Sequence, residues 1–520
     1  MKRLMIIAVV LVVCTGFAWS GGGQQKNSAS ADGGEAGAYP DIEVWAVNDG
    51  FKQIDIGSPL YKLHKEVLGV GVYMPYVEWN GGVDYLNKLN LQIAAGTMPN
   101  MFLPYNGIES ELAKNGAIVD LTDLLPKYAP KLWKLIPESA WNVVKANDPT
   151  GKGRIYWIPD VMAYELRSGM IRQDWLDKLG LAMPKTQKEY VEVLKAFRDR
   201  DPNGNGQKDE LPTGGRQGAR WMDHLFNMYG VASFEGYPRF DIYNGQLTYS
   251  AVTQNAKDAL VFIRDLYQQK LLDPETFLND KATWDGKINT DRVGNYTHIT
   301  QETDRYLNAI YQNTGTKANI TVLPVIQVPG YEGKGFVTHA NITNIQWVIS
   351  AQQDEAHLMS CLRALDEMAD QKNWDALYFG VEGMHYELVN GKKVLLPIDK
   401  SKQQARILEP YNFWGSVDFM SGLLLDAQSA DNKWMIDQDI RNLNDMQQYV
   451  RNIASDGMPE SVYTDYPDIK NCTLWQEYAT KIIIGTFDIS KFDEFVQKWN
   501  TSGGAEVTKR ARDWYAKVAK

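Results

Sequence analysis

From Tyr39 onward, short alternating apolar runs are separated by stretches with helical apolar spacing, and this rhythm restricts the chain to an α/β architecture. Ile42, Val44 and Ala46 alternate with other residues before Asn48-Asp49-Gly50, which reads as a strand running into a turn. Tyr61 to Val67 reads as a helix and Val70 to Val77 as a second strand. Leu86, Leu89 and Ile93 share a helical face that Gly96 ends, and Met101-Phe102-Leu103 is a third short strand. Strand, helix, strand, helix, strand predicts parallel pairing. A second such series begins near residue 160, where Arg154 to Pro159 and Glu165 to Ile171 bracket a crossing. Asp174 to Leu179 is a helix closed by Gly180. Thr186 with Glu189 forms a capping box for a helix whose Tyr190, Val193, Leu194 and Phe197 lie on one face. Trp175, Trp475 and Trp499 fall on similar faces and are expected in the core.

About 480 residues follow Ala38, more than one hydrophobic core normally supports, so at least two lobes are expected. What precedes them is different in kind. Met1-Lys2-Arg3 followed by apolar Leu4 to Val13 has the pattern of a secretory signal. Ala18-Trp19-Ser20 fits cleavage before Gly21, giving a leader over 1–20; Cys14 is the competing site, as a lipid anchor, although Val13 stands where a small residue is usual. Residues 21–38 are small and polar, a flexible tether. The formal charge of −10 becomes −12 without Lys2 and Arg3, which argues against nucleic acid or anionic lipid as the main partner. Cys361 and Cys472 either pair in an oxidising compartment or remain buried thiols.

The stretch DPNGNGQKDELP, residues 201–212, concentrates oxygen-bearing side chains around an obligatory turn. Asp201, Asn203 and Asn205 stand at alternate positions, Gly206 supplies the left-handed turn, and Gln207 offers a carbonyl, as a hard-cation loop requires. An EF-hand loop would place a bidentate Glu at its twelfth position. Here that slot is Pro212, and the acidic groups come early as Asp209 and Glu210. With oxygen ligands alone, the fitting ion is Ca²⁺ rather than Zn²⁺. The plain alternative is an Asx-rich surface turn after a helix. His64, His224, His298, His339, His357 and His385 show no HExxH or paired ligand spacing, and no GxSxG or Walker-type motif occurs in the mature chain.

The run from Ile171 to Pro212, together with LQIAAGTMPNMF (91–102), GKGRIYWIPD (151–160), FGVEGMHYELVNGKKV (379–394) and GTFDISKFDEFVQKWNTSGGAEV (485–507), resembles the family 1 extracellular solute-binding proteins, in the branch with alginate-oligosaccharide-binding and lipoprotein-type members. The similarity spans nearly the whole mature chain. It implies a two-lobed periplasmic-binding-protein fold of the type II kind, with discontinuous lobes and a hinge. It also implies a receptor that captures a carbohydrate, an oligosaccharide, and delivers it to the permease of an ABC importer. The expected lobes are 39–160 with 340–405, and 161–339 with 406–520, crossing near 159–164, 337–343 and 400–412. By the same resemblance, Asp201, Asn203, Asn205, Gln207, Asp209 and Glu210 ligate a structural Ca²⁺ away from the solute. Ser20 stands where many relatives carry the anchoring Cys, which departs from the pattern.

A sugar presents hydroxyls at its rim and C–H groups on its faces, so its receptor needs aromatic platforms and planar polar side chains on loops near strand ends. Candidates are Trp45, Asn48 and Asp49 after the first strand; Tyr156 and Trp157 before a crossing; Trp284, Asp285 and Arg292 in a polar stretch; and Asn412 and Trp414 after the last crossing. Each Trp also reads as a packing residue, but Trp284 and Trp414 lack helical periodicity around them and are the preferred stacking platforms. Two other readings stand beside the sugar receptor. A calcium-stabilised carbohydrate-processing enzyme would show a carboxylate pair flanking a groove; a receptor for peptides or other solutes would show side-chain pockets. The missing catalytic motifs favour binding without chemistry, and the expected receptor is a monomer.

Overall fold

The computed structural model describes residues 39–46, 54–78, 82–105, 107–161, 166–339, 342–396 and 432–519. Nothing in residues 1–38 or 397–431 falls within that set, so the leader, the tether, Cys14 and the third crossing lie outside it, as do Asn48, Asp49, Asn412 and Trp414. No helix among the described residues is long and apolar enough to cross a membrane.

The first sheet runs in the order β2-β1-β3-β13-β4. Strands β1 (Ile42–Trp45), β2 (Val72–Tyr73) and β3 (Met101–Phe102) pair in parallel, and the local chemistry explains their connections. Ser58 caps the helix Pro59–Leu68 through its side chain, Pro59 pre-sets the first turn, and Gly69 at φ 72° ends it. The helix Val83–Ala95 stops at Gly96, where φ is 71°. Two strands then join in the antiparallel sense: β4 (Ile158–Val161) and β13 (Ile342–Ile349), the latter returning from far along the chain between β3 and β4. This late insertion makes the lobe discontinuous.

A second sheet is built on β5 (Leu166–Arg172). Ahead of its partners come two small hairpins, β6 (Ser233–Phe234) with β7 (Tyr237–Pro238) and β8 (Phe240–Tyr243) with β9 (Gln246–Tyr249). Its partners β10 (Asn295–Ile299), β11 (Ile320–Val322) and β12 (Thr338–His339) all pair antiparallel to it. The parallel series expected after residue 160 is therefore not formed. These strands reach β5 after long excursions rather than by one helical crossover, and only the single crossover demands the parallel sense.

Apolar side chains gather accordingly. One core draws on residues from Ile42 to Val161 and from Trp347 to Leu377; the other clusters draw on residues from Met170 to Val328 and from Leu443 to Trp514. The fold is two-lobed and α/β. Trp175, Trp475 and Trp499 are buried in the second lobe as their periodicity predicts, and the Thr186–Glu189 capping box is present. Cys361 and Cys472 sit in different cores as unpaired buried thiols.

The edge strand β11 is covered by side chains rather than by another strand. From the helix Lys433–Met446, Gln438 accepts from the Ile320 N–H (2.9 Å) and donates to the Ala318 carbonyl (3.1 Å), while Asn442 donates to the Ile320 carbonyl (3.0 Å). Between them lies Asp439, fully buried. Its Oδ1 accepts from the Asp304 N–H (3.0 Å), and its Oδ2 has no partner. Burial, then the charge of Asp304, pushes this carboxyl well above its ordinary value of 3.8. A raised folded-state value means stability is fully present below the ordinary value and falls as pH climbs through the raised one. Asp439→Asn keeps the acceptor and removes the titration. Urea unfolding should show the variant close to wild type at about pH 4 and more stable at about pH 8.

Candidate solute-binding site

The chain leaves the first sheet after Val161 and re-enters it at Ile342, so the strand ends beside those points are where a site shared by the lobes would be built. In the second sheet these ends are fixed by register: Arg167 stands opposite Ile299 and Thr338, and Ser168 opposite His298. Arg167 is nearly buried, held by Glu235 (Nη2 to Oε1, 2.8 Å) with its guanidinium 4.7 Å from the Phe234 ring centre.

A tight loop, Thr213 to Met222, closes against this end. The Arg216 N–H donates to the Arg220 carbonyl (3.1 Å) and the Gln217 N–H to the Asn279 carbonyl (2.8 Å). Gly215 has to be glycine, since a Cβ there would lie 2.3 Å from the Arg220 carbonyl oxygen. Gln217 and Trp221 adopt left-handed φ values of 55° and 59°. For a residue as bulky as Trp221 that costs on the order of 1–3 kcal/mol, the kind of strain retained where position matters.

The strained backbone places the Trp221 indole in a stack. His298 lies 5.3 Å away at 26° between planes, and the Arg216 guanidinium lies 4.1 Å from the indole centre. Three polar atoms in this stack are buried without a hydrogen-bond partner among the described residues: Arg216 Nε, Trp221 Nε1 and His298 Nδ1, the last 3.8 Å from Glu302 Oε2. Each such atom costs about 1–3 kcal/mol unless something satisfies it. Burial, then the nearby Arg305 charge, pushes His298 down to about 3, so its imidazole is neutral at ordinary pH. No carboxylate pairs with Arg216 among the described residues. Glu235 is engaged by Arg167, and Glu302 by Arg305 (3.3 Å).

The residues expected from the sequence are distributed differently. Trp45 is buried in the first core, its indole N–H donating to Glu43 (2.7 Å), and Trp157 is buried there too, with Tyr156 half-buried against it. Trp284 is corrected outright. It does not lie on an open polar loop but on the helix Lys281–Asn289, wholly buried in the second lobe, where no sugar can stack on it. Its neighbour Asp285 does reach the stack indirectly: it accepts from the Tyr306 hydroxyl (2.8 Å), and Tyr306 meets His298 edge-on at 5.0 Å. Arg292 belongs elsewhere, with Nε donating to Asp209 (3.2 Å to the carbonyl, 3.0 Å to Oδ2) in the 201–210 loop. Arg216 and Trp221 went unremarked in the sequence, and His298 figured there only among histidines without paired ligand spacing. The available signal was the glycine-rich run TGGRQGARW directly after the acidic loop.

In that loop most side-chain oxygens serve the loop's own amides, as in an Asx-rich turn. Asp201, at φ 49°, accepts from the Gly204 and Gly206 N–H groups (2.9 and 3.1 Å), Asn203 from Asn205 (3.0 Å), and Asn205 from Gln207 (2.7 Å). Asp209 also accepts from the Asn205 side chain (3.0 Å). Among the described residues no three His, Cys, Asp or Glu side chains gather as a ready cage. Glu210 is the exception to this self-sufficiency: it is 7% exposed, and both carboxylate oxygens are buried without a partner. Burial raises its pKa from 4.5, with Asp201 and Asp209 adding to the rise. A buried carboxylate with two idle oxygens fits a hard cation.

A model of the bacterial extracellular solute-binding proteins matches residues 69–380, more than half of the chain. The chain belongs to that family. As a solute-binding protein it is similar along its whole length to lipoprotein LipO of Bacillus subtilis strain 168, at 27% identity over 99% of this chain and 98% of that one. FusA of Streptococcus pneumoniae, a fructooligosaccharide ABC transporter substrate-binding protein, is 30% identical over 54% of this chain and 52% of its own. FusA in complex with kestose superposes with a TM-score of 0.62 at 20% identity, covering 92% of this chain and 99% of FusA. An extracellular solute-binding protein of Bifidobacterium longum subsp. infantis superposes at 0.68 and 18% identity, with the same coverage. These superpositions establish the two-lobed fold.

Proposed function

We propose that this solute-binding protein captures a carbohydrate, an oligosaccharide, outside the cytoplasmic membrane and passes it unchanged to the permease subunits of an ABC importer. The observation that carries the reading is the stack of Arg216, Trp221 and His298, in which three buried polar atoms lack hydrogen-bond partners among the described residues beside the chain crossings. Sugar hydroxyls both donate and accept, so a single ring can serve an indole N–H, a guanidinium N–H and a neutral imidazole. Part-exposed aromatic surface for sugar faces is at hand in Phe234 and Tyr237 on the neighbouring hairpin. FusA, a fructooligosaccharide ABC transporter substrate-binding protein, supports the same class of solute. Capture rather than hydrolysis is supported by membership of a solute-binding family.

Export by residues 1–20 on the tether 21–38 belongs to this reading, with a Cys14 lipid anchor as the lesser route, and the lobes meet near the boundaries given above. Closure follows from contacts that the ligand makes to both lobes and that the open form cannot offer. Ca²⁺ is the structural ion of the proposal, held by Asp201, Asn203, Asn205, the Gln207 carbonyl, Asp209 and Glu210. The idle oxygens of Glu210 support it. When bound, the ion would neutralise the acidic loop and cross-link its two ends.

A thermal-shift screen of neutral oligosaccharides, uronic oligosaccharides and peptides, followed by calorimetry, tests the solute class. At least one oligosaccharide is expected to raise the melting temperature and bind with one-to-one stoichiometry. Uronates belong in the screen because Arg216 has no ion-pair partner among the described residues. A protein answering only to peptides would overturn the reading.

A further inference from the structure

Between the described residues of the two lobes, both side-chain hydrogen bonds involve one amide. Asn147 accepts from the Trp514 indole N–H through Oδ1 (2.8 Å) and donates through Nδ2 to the Gly457 carbonyl (2.9 Å). Asn147 follows the helix Glu138–Ala146 of the first lobe, whereas Trp514 is buried in the second lobe's core. We infer that Asn147 is a positioning residue for lobe closure: its side-chain amide links the lobes in the arrangement seen here and sets the equilibrium from which solute is captured.

Both anchorages are rigid, which lets one amide carry orientation. On the Asn147 side, the next residue, Asp148, is nearly buried and accepts from the N–H groups of Thr150, Lys152 and Arg154 (2.8, 2.9 and 2.9 Å). That knot fixes the segment leading to β4 and the first crossing. On the other side Gly457, at φ 79°, sits in a loop pinned by Asp241, which accepts from the Ala454 N–H (3.2 Å) and pairs with Arg451 (2.6 Å). Trp514 lies on the helix Ala505–Val518, which packs against the helix of Asn147. Glu109 of the first lobe is pushed up chiefly by burial and slightly by Glu460 of the second, whose charge is itself paired with Lys470 (2.8 Å). The two bonds together correspond to about a five- to hundred-fold bias between lobe arrangements.

The inference rests on the two-lobed capture reading, and its test needs no solute. Dyes on Glu111→Cys and Glu192→Cys, one exposed position in each lobe, report lobe separation in single ligand-free molecules; the native Cys361 and Cys472 are buried and label poorly. Asn147→Ala is expected to move or broaden the transfer-efficiency distribution. Trp514→Phe, which keeps the ring and loses the donor, should produce part of the same shift, as should Asn147→Asp, which loses the donor to Gly457. Melting temperatures within a few degrees of wild type would show that the lobes themselves remain folded. Distributions that coincide in Trp514→Phe, Asn147→Asp and wild type overturn the inference, and would do so even if sugars were captured as proposed. A shifted distribution in a protein that binds no sugar would instead leave the link standing and remove the solute reading.

Discussion

Replacing Trp221 by alanine should weaken binding of the captured oligosaccharide about a hundredfold, near 3 kcal/mol, the scale of an aromatic residue at the centre of a binding site. Alanine adopts the left-handed φ of 59° no more comfortably than tryptophan, so the backbone strain is unchanged and the loss reports the indole. Two milder variants separate its parts. Trp221→Phe keeps a plane beside Arg216 and His298 but has no N–H, and should lose about tenfold, as for one buried hydrogen bond. Arg216→Lys keeps the charge but not the planar fork 4.1 Å from the indole, and should lose a similar factor. Calorimetry with the sugar returned by the screen measures all three. If Trp221→Ala binds within about twofold of wild type, the stack is a packing feature and the ligand lies elsewhere.

The second large effect concerns calcium. With free Ca²⁺ at about 100 times its dissociation constant, binding would stabilise the folded lobe by about 2.7 kcal/mol, and a chelator should lower its melting temperature by roughly 5–10 °C. The pH dependence has a definite sign. In the metal-free protein Glu210 has a raised pKa, so stability falls as pH climbs from the ordinary 4.5 through the raised value. The ion needs the carboxylate, so its stabilising effect grows over the same interval. The chelator effect should therefore be small near about pH 4.5 and largest near about pH 7.5. Glu210→Gln should remove both the chelator effect and this dependence while leaving sugar affinity nearly unchanged. Melting temperatures that do not respond to chelator at neutral pH would leave the loop as the Asx-rich turn that its own hydrogen bonds already describe.

Local chemistry was legible where one segment contained the whole cause. Gly96 ends its helix because that position is left-handed, and Thr186 and Glu189 cap theirs reciprocally. The strand sense in the second sheet was not legible, because β10, β11 and β12 arrive from distant segments and nothing within each strand encodes its direction. Trp284 was misread for a different reason. Its helix buries Lys287 as well as Trp284 and Ile288, the lysine being satisfied by Asp273 (2.8 Å) and Glu275 (2.7 Å), so buried charge masks the apolar face. The candidate site was hidden most completely. Arg216 and Trp221 come from a glycine-rich loop and His298 from a strand far along the chain, and only folding brings the three together.

Small-angle scattering of the protein with and without saturating oligosaccharide, with the sugar recovered and chromatographed afterwards, tests capture between lobes most directly. The account predicts a smaller radius of gyration in the loaded protein and a sugar that elutes unaltered. An unchanged radius at saturation, or a shortened sugar, would contradict it.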